Sequence, residues 1–228
     1  MQSAYEGFLE TLTPDLRAIV QRRMRFVRAK RGQALLGRGG GSTEIYFILE
    51  GAFSVIVYSA SGREVSLRSL VEGDTFGELA AVDGRPRSAT VVAESDARVA
   101  VLSSDDFMRC IQASPDTAVW LSRLLASKVR DMTERIFELS ALNVQARLHC
   151  ELLRLAKRGG PADESLTIDP APTHAELANR IGTHREAVTR EMRALVEHNV
   201  IRAGRRTLEF VDIRRLEHFV GQAVGEVL

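Results

Sequence analysis

Between Phe26 and Leu102 glycine turns cut the chain into short apolar runs, and this punctuation limits the possible folds more than any other feature. Glu44 to Leu49, Phe53 to Tyr58 and Val65 to Leu70 are dense in Val, Ile, Phe and Tyr; Gly51, Ser61-Gly62 and Gly73-Asp74 separate them. Runs of this kind repeated about every ten residues build an antiparallel sandwich or barrel. Ahead of them Thr13-Pro14-Asp15 opens a flanking helix to about Met24, with Thr as N-cap and Pro at the first helical position.

After Leu102 the strands stop, which makes the chain α+β. Ser104-Asp105-Asp106 caps a short helix, and Ser114-Pro115-Asp116 begins a longer one. Leu125, Val129, Met132, Ile136 and Leu139 follow at spacings of 4, 3, 4 and 3, a heptad seam. Such a stripe can lie on the chain's own β domain or on a second copy. Its length, about four to five turns, exceeds what a small domain needs for cover and favours a homodimer seam. From Asn143 the texture becomes short helices, Gln145 to Lys157, Thr173 to Ile181 and His184 to Asn199, with a polar stretch from Gly159 to Pro172 between the first two. Two short strands, Val200 to Ala203 and Thr207 to Val211, and a last helix from Ile213 to about Val220 complete a winged helix-turn-helix pattern. Three parts are expected: residues 1–113, 114–142 and 143–228.

Composition narrows the function only weakly. Lys and Arg total 31 against 30 Asp and Glu, so no overall basic excess points to nucleic acid. The first residues lack a basic stretch followed by an apolar one, and no run approaches the roughly 18 apolar residues of a membrane helix; the expectation is a cytoplasmic protein without a membrane partner. Cys110 and Cys150, without metal-like spacing, read as reduced structural thiols. Gly37-Arg38-Gly39-Gly40-Gly41-Ser42 lacks the remainder of a phosphate loop and reads as a flexible strand connection. The basic run from Arg22 to Arg31 reads as a solvated face.

Phe76-Gly77-Glu78-Leu79-Ala80, a short variable stretch, and Arg87-Ser88-Ala89-Thr90-Val91 hold the densest chemistry. Gly77 allows close backbone approach, a turn of helix opening at Glu78 aims N–H groups outward, and Arg87 and Ser88 offer a planar fork and a hydroxyl to phosphate oxygens. Glu78 fits beside them if it accepts from a sugar hydroxyl and orients the arginine. This segment resembles the phosphate-binding cassette of cyclic-nucleotide-binding domains. The resemblance implies that Gly77, Glu78, Leu79, Arg87, Ser88 and Ala89 hold a cyclic nucleotide in a jelly-roll-like β-roll, with Glu78 on the ribose 2′-hydroxyl.

Thr173 with Glu176 forms a capping box, Gly182 suits a turn, and Ile181, Val188 and Leu195 can share a core. The helix after the turn then presents Arg185, Glu186, Thr189 and Arg190 near its N-terminal end, where Arg reads guanine and Glu accepts from cytosine in a major groove. His174 and His184 stand at helix starts, where exposed polar filling is the plainer reading and a phosphate contact is open to them; Thr173 and His184 are candidate DNA contacts. Seven arginines against three glutamates between Arg180 and Arg206 give a local charge of +4.

A β-roll with this cassette, a long helix and a winged helix resembles the Crp-Fnr superfamily of bacterial transcription regulators over nearly the whole chain. The resemblance implies a homodimer gated by cyclic AMP or cyclic GMP, reading a palindromic TGTGA-like site through Arg185-Glu186-x-x-x-Arg190 and working with RNA polymerase. The family's Thr-Ser pair that contacts adenine falls on Met132-Thr133, so only Thr133 carries over. Other effectors fit the same fold: cyclic di-GMP, a redox or gas-sensing cofactor, or none. Cluster sensing needs several thiolates and haem needs an axial donor, yet all five histidines lie at or beyond His149. A cupin-like enzyme would need histidines in the β half, where residues 1–148 contain none. The expectation is therefore a non-enzyme without a metal.

Overall fold

The computed structural model describes residues 3–62, 64–158 and 166–225, in two compact units divided at Arg130/Asp131. In the first, α1 (Ala4–Glu10) and α2 (Pro14–Arg23) precede eight strands: β1 (Arg25–Ala29), β2 (Ala34–Leu36), β3 (Ile45–Glu50), β4 (Phe53–Tyr58), β5 (Glu64–Leu70), β6 (Thr75–Phe76), β7 (Thr90–Ala93) and β8 (Ala97–Leu102). A short helix, α3 (Glu78–Asp83), interrupts the strands; α4 (Ser104–Ala113) and α5 (Pro115–Ala141) follow them. Thr13 caps α2 as expected, whereas α4 is capped by Ser103, one residue earlier than the sequence suggested.

The strands form two antiparallel four-stranded sheets, ordered β1-β8-β3-β6 and β2-β7-β4-β5. They face each other across Tyr46, Ile48, Phe53, Leu70, Phe76, Val91, Val99 and Val101, the jelly-roll-like β-roll expected. At the β3–β4 turn Gly51 adopts φ +87°, and a Cβ there would lie 2.6 Å from both Ala97 Cβ and the Asp96 carbonyl, so only glycine fits. A second core lies between the first sheet and the helices, where α1, which no periodicity announced, inserts Phe8 against Phe47 at 5.2 Å and Trp120 at 5.5 Å. Trp120 is thus half-buried against this core.

The second unit contains the end of α5, then α6 (Val144–Arg158), β9 (Thr167–Ile168), α7 (His174–Ile181), α8 (Arg185–Glu197), β10 (Ile201–Ala203), β11 (Leu208–Phe210) and α9 (Ile213–Val224). Leu148, Leu152, Leu177, Ile181, Val188, Leu195, Val200 and Leu216 make its core. β9 pairs with β11 to make a three-stranded sheet with β10; two residues are too few to leave a sequence period. It falls in the stretch from Gly159 to Pro172 read as a polar connection, of which residues 159–165 lie outside the described residues. Cys110 and Cys150 are free and buried, and burial pushes each thiol up to about 11, which makes them inert structural groups. Among the described residues no helix is long and apolar enough to cross a membrane.

Candidate effector site and nucleic-acid interface

The segment between β6 and β7 folds around one buried cation. Gly77 takes φ +83° as N-cap of α3, and a Cβ there would come within 2.7 Å of the Glu44 carbonyl and 2.8 Å of an Arg87 nitrogen. Arg87 is 4% exposed. Its Nε donates to Ser42 Oγ at 3.1 Å, Nη1 to the Gly77 carbonyl at 2.9 Å and Nη2 to the Glu44 carbonyl at 2.8 Å. The guanidinium also lies over the Tyr46 ring, 5.8 Å from its centre. Burial lowers the Arg87 pKa, and Tyr46, Glu44 and Glu78 pull it back.

Ser42 belongs to the glycine segment read as a flexible connection. That segment is instead tied to the arginine by its backbone: Gly39 N–H donates to the Arg87 carbonyl at 2.8 Å, and Arg87 N–H to Gly40 at 3.0 Å. Glu78 is buried, but the expected contact with the arginine is replaced by another cation. Its carboxylate pairs with Lys128 Nζ at 2.8 Å, and Lys128 also donates to the Thr75 carbonyl at 3.0 Å. Burial lowers the Lys128 pKa and the Glu78 charge opposes that shift. Ser42, Glu44 and Lys128 were all missed by sequence reasoning, because no local pattern links residue 44 to 87 or 78 to 128. Of the remaining cassette residues, Ser88 and Leu79 are exposed and Ala89 is buried.

In the second unit the capping box forms in both directions, Glu176 N–H to Thr173 Oγ at 3.2 Å and Thr173 N–H to the Glu176 carboxylate at 2.6 Å. Gly182 ends α7 at φ +66° and turns the chain into α8. One face of α8 buries Val188, Met192 and Leu195. The opposite face exposes Arg185, Glu186 and Arg190, and these line a shallow open groove with Thr189, Arg193 and Glu197. His184 is the exposed N-cap of α8. Thr189 is partly buried: its hydroxyl donates to the Arg185 carbonyl at 2.9 Å and lies 2.8 Å from His174 Nδ1.

Arg180 corrects the local charge tally. It is 8% exposed and pairs with Glu151 at 3.3 Å, so it belongs to the interior and not to the basic face. The interior cluster also includes Arg135 and Glu138 of α5 and Glu151 and Arg154 of α6: Arg135 meets Glu138 at 2.9 Å and Glu151 at 3.5 Å, and Arg154 bonds both carboxylates.

Along α5, Leu125 is half-buried and packs on the first unit's core. Val129, Met132, Ile136 and Leu139 are 61%, 59%, 65% and 45% exposed, an apolar stripe left open to water. Thr133 is exposed beside it. Among the described residues no group of three His, Cys, Asp or Glu is placed to hold a metal. In the basic run from Arg22 to Arg31, Arg23 pairs with Asp106, Arg25 with Glu44 and Lys30 with Asp96.

Residues 26–114 match the cyclic nucleotide-binding domain family and residues 146–219 the Crp-like helix-turn-helix domain family. The cAMP-activated global transcriptional regulator CRP of Salmonella typhimurium is 31% identical over 175 residues, 76% of this chain and 83% of that protein. The cyclic AMP receptor protein of Thermus thermophilus is 31% identical over 188 residues, 82% of this chain and 84% of that one. In fold, the FixK2 protein of Bradyrhizobium japonicum superposes with a TM-score of 0.78 at 17% identity, covering 86% of this chain and 96% of its own. With a β-roll that matches the cyclic nucleotide-binding domain family ahead of a Crp-like helix-turn-helix, and relatives that align over most of their length, the chain belongs to the Crp-Fnr family of DNA-binding transcription regulators.

Proposed function

We propose that two copies pair through Val129, Met132, Ile136 and Leu139, and that a cyclic nucleotide held at Gly77, Glu78, Arg87, Ser88 and Ala89 controls their grip on a palindromic TGTGA-like site. The single observation that carries this reading is the buried Arg87, a cation enclosed by the glycine turn in which a phosphate-binding cassette places it. Cyclic AMP is the first candidate effector, since two relatives are named for it; cyclic GMP is the second. Thr133 would contact the base. The proposed setting is cytoplasmic, with RNA polymerase as the further partner.

A ligand changes DNA binding only through its preference for one of two states. The favoured state would set two recognition helices about one DNA turn, roughly 34 Å, apart. In each half-site Arg185, Glu186 and Arg190 would meet base edges, while Thr173 and His184 meet phosphates.

Titrating the protein with a TGTGA…TCACA duplex, with and without cyclic AMP, cyclic GMP or cyclic di-GMP, tests the reading. At least tenfold tighter binding with one of the first two is expected, about 1.4 kcal/mol of coupling. No change with either removes the gating part of the proposal; a response confined to cyclic di-GMP reassigns the effector. Arg185→Ala should weaken binding to the specific duplex by about 1–3 kcal/mol and scarcely alter binding to random DNA, because it removes a base contact.

A further inference from the structure

We propose that Glu44 is the resident counter-anion of Arg87, a selectivity residue whose carboxylate any incoming phosphate must displace electrostatically; this rests on the reading that the turn at Arg87 receives a nucleotide phosphate. A guanidinium has five N–H donors. In Arg87, Ser42 Oγ and the carbonyls of Gly77 and Glu44 take three of them, all neutral acceptors built into the fold. They fix the position of the cation and leave its charge uncompensated. The carboxylate of Glu44 supplies the compensation: Oε2 lies 3.7 Å from Arg87 Nη2, in Coulombic range but beyond a hydrogen bond.

The state of that oxygen is the second observation. Glu44 Oε2 is buried and accepts no hydrogen bond among the described residues, whereas Oε1 accepts from the exposed Arg25 at 3.1 Å. Burying a carboxylate oxygen without a hydrogen bond is costly unless a charge holds it there. The neighbouring Arg87 is that charge. An anion that takes the two remaining Arg87 donors comes within a few ångströms of Glu44, where like charges strongly disfavour each other. Glu44 therefore weakens the site for any phosphate and leaves neutral ligands unaffected, and Arg25 moderates the effect by drawing off part of its charge.

The variant Glu44→Gln keeps the backbone carbonyl that anchors Arg87 and removes only the charge. Calorimetry on the full-length protein with cyclic AMP, inorganic phosphate and neutral adenosine compares it with the unaltered chain. On the order of tenfold tighter binding of both anions is expected, with adenosine unchanged; the opposing charge lies within the range where an ion shifts its neighbours by one unit or more. A merely structural role would weaken all three. Arg25→Gln alters a 66% exposed side chain and should move the anions the other way by roughly two- to threefold, as an exposed pair allows. Anion affinities unmoved or lowered in Glu44→Gln overturn the proposal, and should that variant not fold, anion affinities unmoved or raised in Arg25→Gln do so. If cyclic AMP binds the unaltered chain and Glu44→Gln gains nothing, the nucleotide reading survives alone. If Glu44→Gln tightens inorganic phosphate and no cyclic nucleotide outbinds phosphate, the role of Glu44 stands and the nucleotide reading falls.

Discussion

Arg87→Leu is expected to abolish binding of a cyclic nucleotide and to destabilise the β-roll at the same time. The sequence alone presents Arg87 as a ligand contact. Its buried position adds a role in the fold, because the side chain satisfies two backbone carbonyls and the Ser42 hydroxyl. Leucine strands those acceptors and leaves Arg25 as the one cation beside the Glu44 carboxylate among the described pairs. Orphaned buried acceptors cost about 1–3 kcal/mol each before relaxation. Partial overlap and water entry bring the expected net loss to about 3 kcal/mol, a fall in Tm on the order of 10 °C for a unit of this size. Thermal unfolding followed beside nucleotide calorimetry checks both effects. Loss of binding at an unchanged Tm would show that the guanidinium serves the ligand and not the fold.

Glu151→Ala is expected to have an effect of similar size in the other unit. Glu151 is 5% exposed and joins α6 to α5 and α7 through Arg135, Arg154 and Arg180. Its removal leaves Arg135 and Arg154 on the single carboxylate of Glu138 and takes the Glu151 contact from the buried Arg180. Breaking a buried ion pair by deleting one partner typically destabilises by about 3–5 kcal/mol. Arg180 belongs to α7, whose last turn meets Gly182 and aims α8, so loss of DNA affinity should accompany loss of stability. Denaturant unfolding of the second unit and a DNA titration at low temperature measure the two. Replacement of Arg180 and Glu151 together by leucine and methionine should restore much of the stability, since apolar residues of similar volume substitute well for buried pairs. If the double variant is as unstable as Glu151→Ala, the loss does not come from the broken Glu151–Arg180 pair.

The two arginines show where sequence reading succeeds and where it stops. Both were visible as positive charges in meaningful segments, one in the cassette and one in the helix-turn-helix. The cassette spacing placed Arg87 correctly in the turn after α3, since the glycine and the short helix are local features that sequence neighbours dictate. The same logic placed the capping box at Thr173, the left-handed turn at Gly182 and the exposed edge of Arg185, Glu186 and Arg190. Arg180 looked like part of that basic face. Its position on α7 turns it inward onto a carboxylate 29 residues earlier, a pairing no helical period encodes.

The sequence by itself determined the order of the parts, the glycine-punctuated β-roll, the heptad stripe on α5 and the recognition helix. Each of these follows from interactions within a few residues along the chain: turn geometry, capping and a period of two or 3.6. Only the tertiary structure decided which charges face which. Glu78 pairs with Lys128, Arg87 with Glu44 and Arg180 with Glu151, at separations of 50, 43 and 29 residues. Charged side chains are long and their attraction is not directional along the chain, so the partner is fixed by where sheets and helices bring the backbone, and burial then decides how much each pair is worth.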